Sequence, residues 1–101
     1  MTPVAARRAP VTVHHDGGAV VLELSHHLDQ LVGRVLVDAV AAALDPRPER
    51  IEIDLQALET WTPDGARALV ECRALCRDLP DGLHYRTGRG PGRDALLAAY
   101  T

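Results

Sequence analysis

The residues best equipped for recognition chemistry sit together in Glu59-Thr60-Trp61-Thr62-Pro63-Asp64-Gly65. An alternating apolar pattern ends just before this stretch, and a helical pattern begins inside it. Thr62 has a side-chain oxygen suited to capping a helix, and Pro63 suits the first helical position, where a missing N–H is no loss. Asp64 then places a negative charge in the first turn, where the helix dipole favours it. Trp61, the only tryptophan, reads equally as a core plug or as an exposed interface anchor, a role in which Trp is enriched. Strand-to-helix junctions of this kind are where small α/β domains place their contacts with ligands or partners.

The remaining reactive side chains form no catalytic constellation. Ser25 is the only serine, and no base or paired carboxylate is positioned beside it, so no catalytic residue is expected. His14, His15, His26, His27 and His84 invite a metal hypothesis. Adjacent histidines on an extended chain point to opposite faces, so each pair offers one ligand at most, and solvated histidines are the simpler reading. Cys72 and Cys76 share one helix face. Their spacing is not that of a redox pair, further zinc ligands are lacking nearby, and they read as buried apolar side chains. Gly88 to Gly92 lacks the Lys-Ser/Thr of a phosphate loop and reads as a turn. No metal and no cofactor are expected.

Composition narrows the partner classes. The chain has 101 residues, enough for one domain with a real core, and 47% are hydrophobic, without a single Phe. The core must therefore be aliphatic. Net charge is −3, and no Arg-rich stripe appears, which argues against a nucleic-acid or anionic-membrane surface. There is no long apolar run for membrane insertion and no signal-peptide pattern. With free cysteines, this favours the cytoplasm.

The elements that position the central stretch follow from periodicity. Residues 1–10 read as a flexible lead-in, and 11–101 as one domain. Val11 to His14 alternates as a half-buried strand, Asp16-Gly17-Gly18 supplies a hairpin turn, and Ala19 to Ser25 is the return strand. Leu31 to Leu44 is helical, with Leu31, Val32, Val35, Leu36, Ala39, Val40 and Ala43 as its apolar stripe. Ile51, Ile53 and Leu55 mark a third strand. Pro63 to about Leu79 is a second helix, with Ala68, Leu69, Cys72, Leu75, Cys76 and Leu79 inward. Leu83 to Arg86 is a short strand, and Asp94 to Tyr100 a terminal helix. The order β-β-α-β-α-β-α predicts an α/β fold: one mixed four-stranded sheet, antiparallel in its first hairpin and parallel across the crossovers. Strands that alternate cleanly are covered on one face only. The helices should pack on one face, leaving the other wet or reserved for a partner.

The run from Val20 to Asp29, the amphipathic helix after it, Ile51 to Leu55, and a junction ending in Gly65 together resemble a STAS domain, as in bacterial anti-sigma-factor antagonists and sulphate-transporter-type domains. The resemblance spans about Val11 to Tyr100 and rests on element order and spacing. Family members carry a Gly-x-Leu-Asp turn after the second strand. Here His26 holds the Gly position, while Leu28 and Asp29 match. They also carry Asp-Ser-x-Gly before the second helix, whose Ser is phosphorylated by an anti-sigma kinase to release the bound partner. Thr62, Pro63 and Gly65 occupy its Asp, Ser and Gly positions, so the phosphoacceptor is missing. Thr62 is the weaker alternative acceptor. Asp64 reads as part of a good helix start, as part of a junction locked in one binding state, or as a loose imitation of phosphoserine.

The resemblance implies a non-catalytic protein-binding module of bacterial regulation without the phosphoserine switch. Its surface would comprise Trp61, Thr62, Pro63, Asp64, Gly65 and Arg67 with His26, His27 and Asp29. An anti-sigma-type kinase or another STAS protein, including a second copy as a homodimer, is the partner class implied. The alternatives are a non-switching STAS subunit of a transporter-associated or stress-signalling assembly, and a small-ligand or nucleotide-binding domain.

Overall fold

The computed structural model describes residues 9–101. Most of the expected flexible lead-in, residues 1–8, lies outside the described residues. The elements are β1 (Val11–Asp16), β2 (Ala19–Leu28), α1 (Gln30–Ala43), β3 (Arg50–Trp61), α2 (Pro63–Leu75), β4 (Leu83–Arg86) and α3 (Pro91–Ala99). The strands make one sheet in the order β1-β2-β3-β4, with β1 antiparallel to β2 and the other neighbours parallel. Asp16 pairs with Ala19 across a two-residue turn in which Gly17 has φ +62°, a conformation natural to glycine.

All three helices lie on one face of the sheet, as the alternation predicts. There Leu22 and Leu24 of β2 and Ile51, Ile53 and Leu55 of β3 are fully buried beneath Leu36 and Val40 of α1, Leu69 and Cys72 of α2, and Ala95 of α3. A Cβ at Gly92 would collide with the Leu55 carbonyl oxygen, so α3 rests directly on the β3 backbone. The Tyr85 hydroxyl of β4 donates to the Leu69 carbonyl at 2.6 Å and lies 3.0 Å from the Tyr100 hydroxyl, tying α2, β4 and the end of α3 together.

The helix-free face carries a charged network. Glu52, only 7% exposed, is held between Arg50, 2.7 Å away, and Arg86. Asp54, equally withdrawn, accepts from the Gln56 amide at 2.9 Å. Thr12 donates to Glu23 on the neighbouring strands. The buried carboxylates thus have partners, which burial of a charge requires.

Several boundaries differ from the periodicity reading. β3 runs on to Trp61, because β2 and β3 remain paired through Leu28 and Trp61 after two register shifts. α2 stops at Leu75, with Cys76 as its cap, and Leu75 is exposed. Pro91 opens α3 three residues early, as proline at a first turn should. Leu31 and Val35, expected inward, are 71% and 40% exposed. The face that α1 buries is centred on Gly33, Leu36 and Val40, and Leu31 and Val35 lie off it.

Cys72 and Cys76 are free thiols in the core. Burial pushes the Cys72 thiol from an ordinary 9.0 up to about 12 and that of Cys76 to about 11. Burial, then the Tyr100 hydrogen bond, also raises the Tyr85 phenol well above its usual range. Each folded pKa exceeds its unfolded value, so the stabilisation is complete below the unfolded pKa and fades as pH rises through the folded one. The melting temperature should hold steady up to about pH 8.5 and fall progressively above about pH 9. Thermal melts across that range check it, and Cys72→Ala should fall less steeply than the wild type.

Candidate functional site

Parallel β2 and β3 end side by side, His27 opposite Thr60 and Leu28 opposite Trp61. Each leads into a helix, so two helix N-termini open at the carboxyl end of the sheet. This is the usual ligand-facing end of parallel α/β sheets. Asp29 caps α1, its Oδ1 accepting from the Val32 amide at 2.9 Å. Thr62 caps α2, its Oγ1 accepting from the Gly65 amide at 3.1 Å, and Pro63 takes the first helical position. The local chemistry read at Thr62 and Pro63 is therefore what forms. The expected loop is not: β3 ends at Trp61 and α2 begins at Pro63, leaving Thr62 alone between them.

The two junctions are joined through backbone. The Thr62 amide donates to the Leu28 carbonyl at 2.9 Å. Gly65 is buried against the same carbonyl, and a Cβ there would collide with it and with the Asp29 backbone. One turn along, a Cβ on Gly33 would stand 2.9 Å from the Ala68 Cβ, so the first turns of α1 and α2 are in close contact. An open groove of about 310 Å³ runs over that contact between the two helices, and its lining includes Gln30, Arg34, Asp64, Arg67 and Glu71.

The nine residues singled out in the sequence converge here. Pro63, Asp64 and Arg67 are exposed, with Arg67 3.3 Å from Asp64. Trp61 is half-buried and packs against the core with one side. Gly65 is buried and shapes the site through its backbone. His27 bridges the junctions: Nδ1 meets the Thr60 hydroxyl at 2.5 Å, and Nε2 lies 3.9 Å from Asp29 Oδ2. His26 lies 3.5 Å from Glu59. Glu59 and Thr60 lie in the stretch the sequence singled out, but their pairing with His26 and His27 follows only from the parallel register. The groove residues Gln30 and Arg34 carry no motif and follow only from the packing of α1 beside α2.

His26 stands where the resemblance implies glycine, and its backbone has the conformation that glycine favours. Its φ is +69°, in the left-handed region, at a register shift in β2. An L-residue pays for that conformation, though His tolerates it better than most.

Electrostatically, both helix N-termini already hold their own carboxylates, Asp29 as a cap and Asp64 in the first turn. Their dipoles are thus complemented from within. The Thr62 hydroxyl is half-buried and engaged in the cap. Among the described residues, no group of three or more His, Cys, Asp or Glu could hold a metal ion, and no helix is long and apolar enough to cross a membrane.

Two substitutions should move stability in opposite directions. Gly65→Ala must push the junctions apart and should cost about 1–3 kcal/mol. His26→Gly relieves the left-handed residue and should gain about 0.5–1 kcal/mol, less than the full relief because glycine loses more chain entropy. Urea denaturation of both variants reads the two signs.

A family model described as "Mlab, STAS domain" matches residues 11–99. No curated protein sequence matches the chain. Among solved structures, an anti-sigma factor antagonist from Mycobacterium paratuberculosis is similar over 90% of this chain and 93% of its own, at 23% identity and TM-score 0.65. The anti-sigma factor antagonist SpoIIAA in its unphosphorylated form aligns over 86% and 81%, at 13% identity and TM-score 0.67. Mglu in its native form has 16% identity and TM-score 0.67, and the likeness covers 79% of this chain but only 24% of Mglu. At these identities the structural likenesses speak for the fold. The family match, covering nearly all the described residues, speaks for descent: this chain belongs to the STAS domain family and has the fold of the anti-sigma-factor antagonists.

Proposed function

We propose that the chain is a non-catalytic protein-docking module, similar to an anti-sigma-factor antagonist of bacterial transcription control but without the phosphoserine switch. The contact surface is the carboxyl end of β2 and β3: His26, His27 and Asp29 on one junction, Trp61 to Gly65 with Arg67 on the other. The observation that carries this reading is Pro63 at the first position of α2. It offers no hydroxyl where the family's switch needs one, and its ring fixes φ. Asp29 and Asp64 already complement both helix dipoles, so a further anion gains little there. That disfavours nucleotide or phosphate binding and leaves an exposed, preformed protein contact. The partner class is an anti-sigma-type kinase or another STAS protein, and the compartment the cytoplasm.

A second reading, a non-switching subunit of a larger transporter-associated or stress-signalling assembly, draws on the same missing hydroxyl. The two differ in stoichiometry: a permanent subunit co-purifies in fixed ratio, whereas a regulatory antagonist exchanges.

Affinity purification of the tagged chain from its native cells should recover a protein partner. Asp64→Arg, which is exposed and leaves the cap intact, should weaken that partner about tenfold or more, as loss of a central contact does. Trp61→Ala should weaken it too, with its folding checked by circular dichroism. If both variants keep every partner at wild-type affinity, the surface is assigned wrongly. Intact-mass measurement after incubation with an anti-sigma-type kinase and ATP should show no added phosphate, and a phosphate on Thr62 would restore the switch.

A further inference from the structure

We propose that the free edge of β1 and the adjoining flank of α1 form the interface of a symmetric homodimer, in which two sheets join through antiparallel β1–β1 pairing. This surface is separate from the docking surface above, so either reading can fail without the other.

The first observation is the edge itself. β1 ends the strand order, and among the described residues nothing pairs with its outer side. Every second residue of such a strand turns its N–H and C=O outward, a ready template for another strand. Edges that stay solitary are usually short, or carry Lys, Pro or other charges. Val11-Thr12-Val13-His14-His15 contains no Lys, Arg, Pro or carboxylate, and only Asp16 follows, at the turn. The opposite edge, β4, has four residues and ends in Arg86.

The second observation is apolar surface beside that edge. Val13 points to the helix side of the sheet and is 49% exposed, while Val35 of α1 is 40% exposed. Val13, Ala39, Ala42 and Pro46 line the apolar part of an open groove of about 690 Å³ between α1 and the β1–β2 hairpin, whose far end also holds Asp45, Arg47 and Glu49. The charged residues Arg34 and Asp38 lie on the other flank of α1, in the groove shared with α2. The flank turned toward β1 thus has no ionised side chain from Val35 through Ala42.

The third observation identifies the occupant. α1 lies over β1 and β2. Joining two β1 edges places the second α1 two strand spacings away, about 10 Å. That is the distance at which two helices pack, about 8–10 Å. A second copy therefore satisfies the strand edge and the helix flank together, the antiparallel α1 helices setting Val35 of one chain toward the Ala39–Ala42 flank of the other across a two-fold axis. Antiparallel pairing of identical strands is self-complementary, so the interface closes at two chains. A foreign strand would pair with the edge but leave the flank of α1 bare.

Sedimentation equilibrium of the full chain, from micromolar to several hundred micromolar, should show a monomer–dimer equilibrium built on the 10.9 kDa chain and no larger species. Val13→Lys and Val35→Glu, both at exposed positions, should each raise the dissociation constant about tenfold or more, as an unpaired charge buried in an apolar contact does. Leu97→Glu, equally exposed but on α3, should leave it unchanged, and thermal melts confirm that all three fold. A chain that stays monomeric throughout overturns the proposal. So does a dimer that both β1 and α1 substitutions leave intact, one that Leu97→Glu disrupts equally, or open-ended growth beyond two chains.

Discussion

Much of this domain hangs on one carbonyl group. The oxygen of Leu28 accepts the Thr62 amide, and the bare α-carbon of Gly65 lies against it. That contact holds the end of β2 to the start of α2. The pairing of Leu28 with Trp61 and the meeting of Gly33 with Ala68 follow the same approach. A side chain on Gly65 would separate the junctions, and with them the caps at Asp29 and Thr62 that start both helices. The arrangement of His27, Thr60 and Asp29 is therefore a consequence of backbone geometry before it is a property of those side chains.

The two faces of the sheet solve different physical problems. The helix side buries an aliphatic core without phenylalanine, and its helices approach the strands closely where Gly92 meets Leu55. The helix-free side keeps Glu52 withdrawn from water by giving it two arginines. An ion pair of this kind contributes little net stability, because desolvating the charges offsets much of their attraction. Removing either arginine would nonetheless leave a carboxylate poorly satisfied. The face is thus ordered by charge matching, and covering it with an apolar partner would mean desolvating that network.

Local chemistry was the legible part of this chain. The Asp16-Gly17-Gly18 turn, the Thr62 cap, Pro63 at a first turn and the alternation in β2 and β3 all act within a few residues, and each forms where the pattern puts it. One-sided alternation was enough to place every helix on one face. What escaped the pattern depends on neighbours distant in sequence. β3 extends to Trp61 because β2 pairs with it beyond two register shifts, which no periodicity announces. Leu31 and Val35 continue an apolar stripe in the sequence, yet α1 turns a different face, Gly33, Leu36 and Val40, to the core. The candidate site divides the same way. Its residue types were visible at Thr62 to Gly65 and Asp29, whereas the bridging of the two junctions by His27 and Thr60 rests on parallel register alone.

The single-residue passage from Trp61 to Pro63 has a kinetic meaning. With Thr62 engaged at its amide, its hydroxyl and its carbonyl, the passage has almost no slack, and α2 cannot pivot unless β3 moves in the core. Whatever meets this end of the domain finds it already formed and loses little by way of ordering it. For the docking proposed above, encounter would then be limited by diffusion and orientation, with no folding step to wait for, and differences between competing partners would fall chiefly on how fast each one leaves.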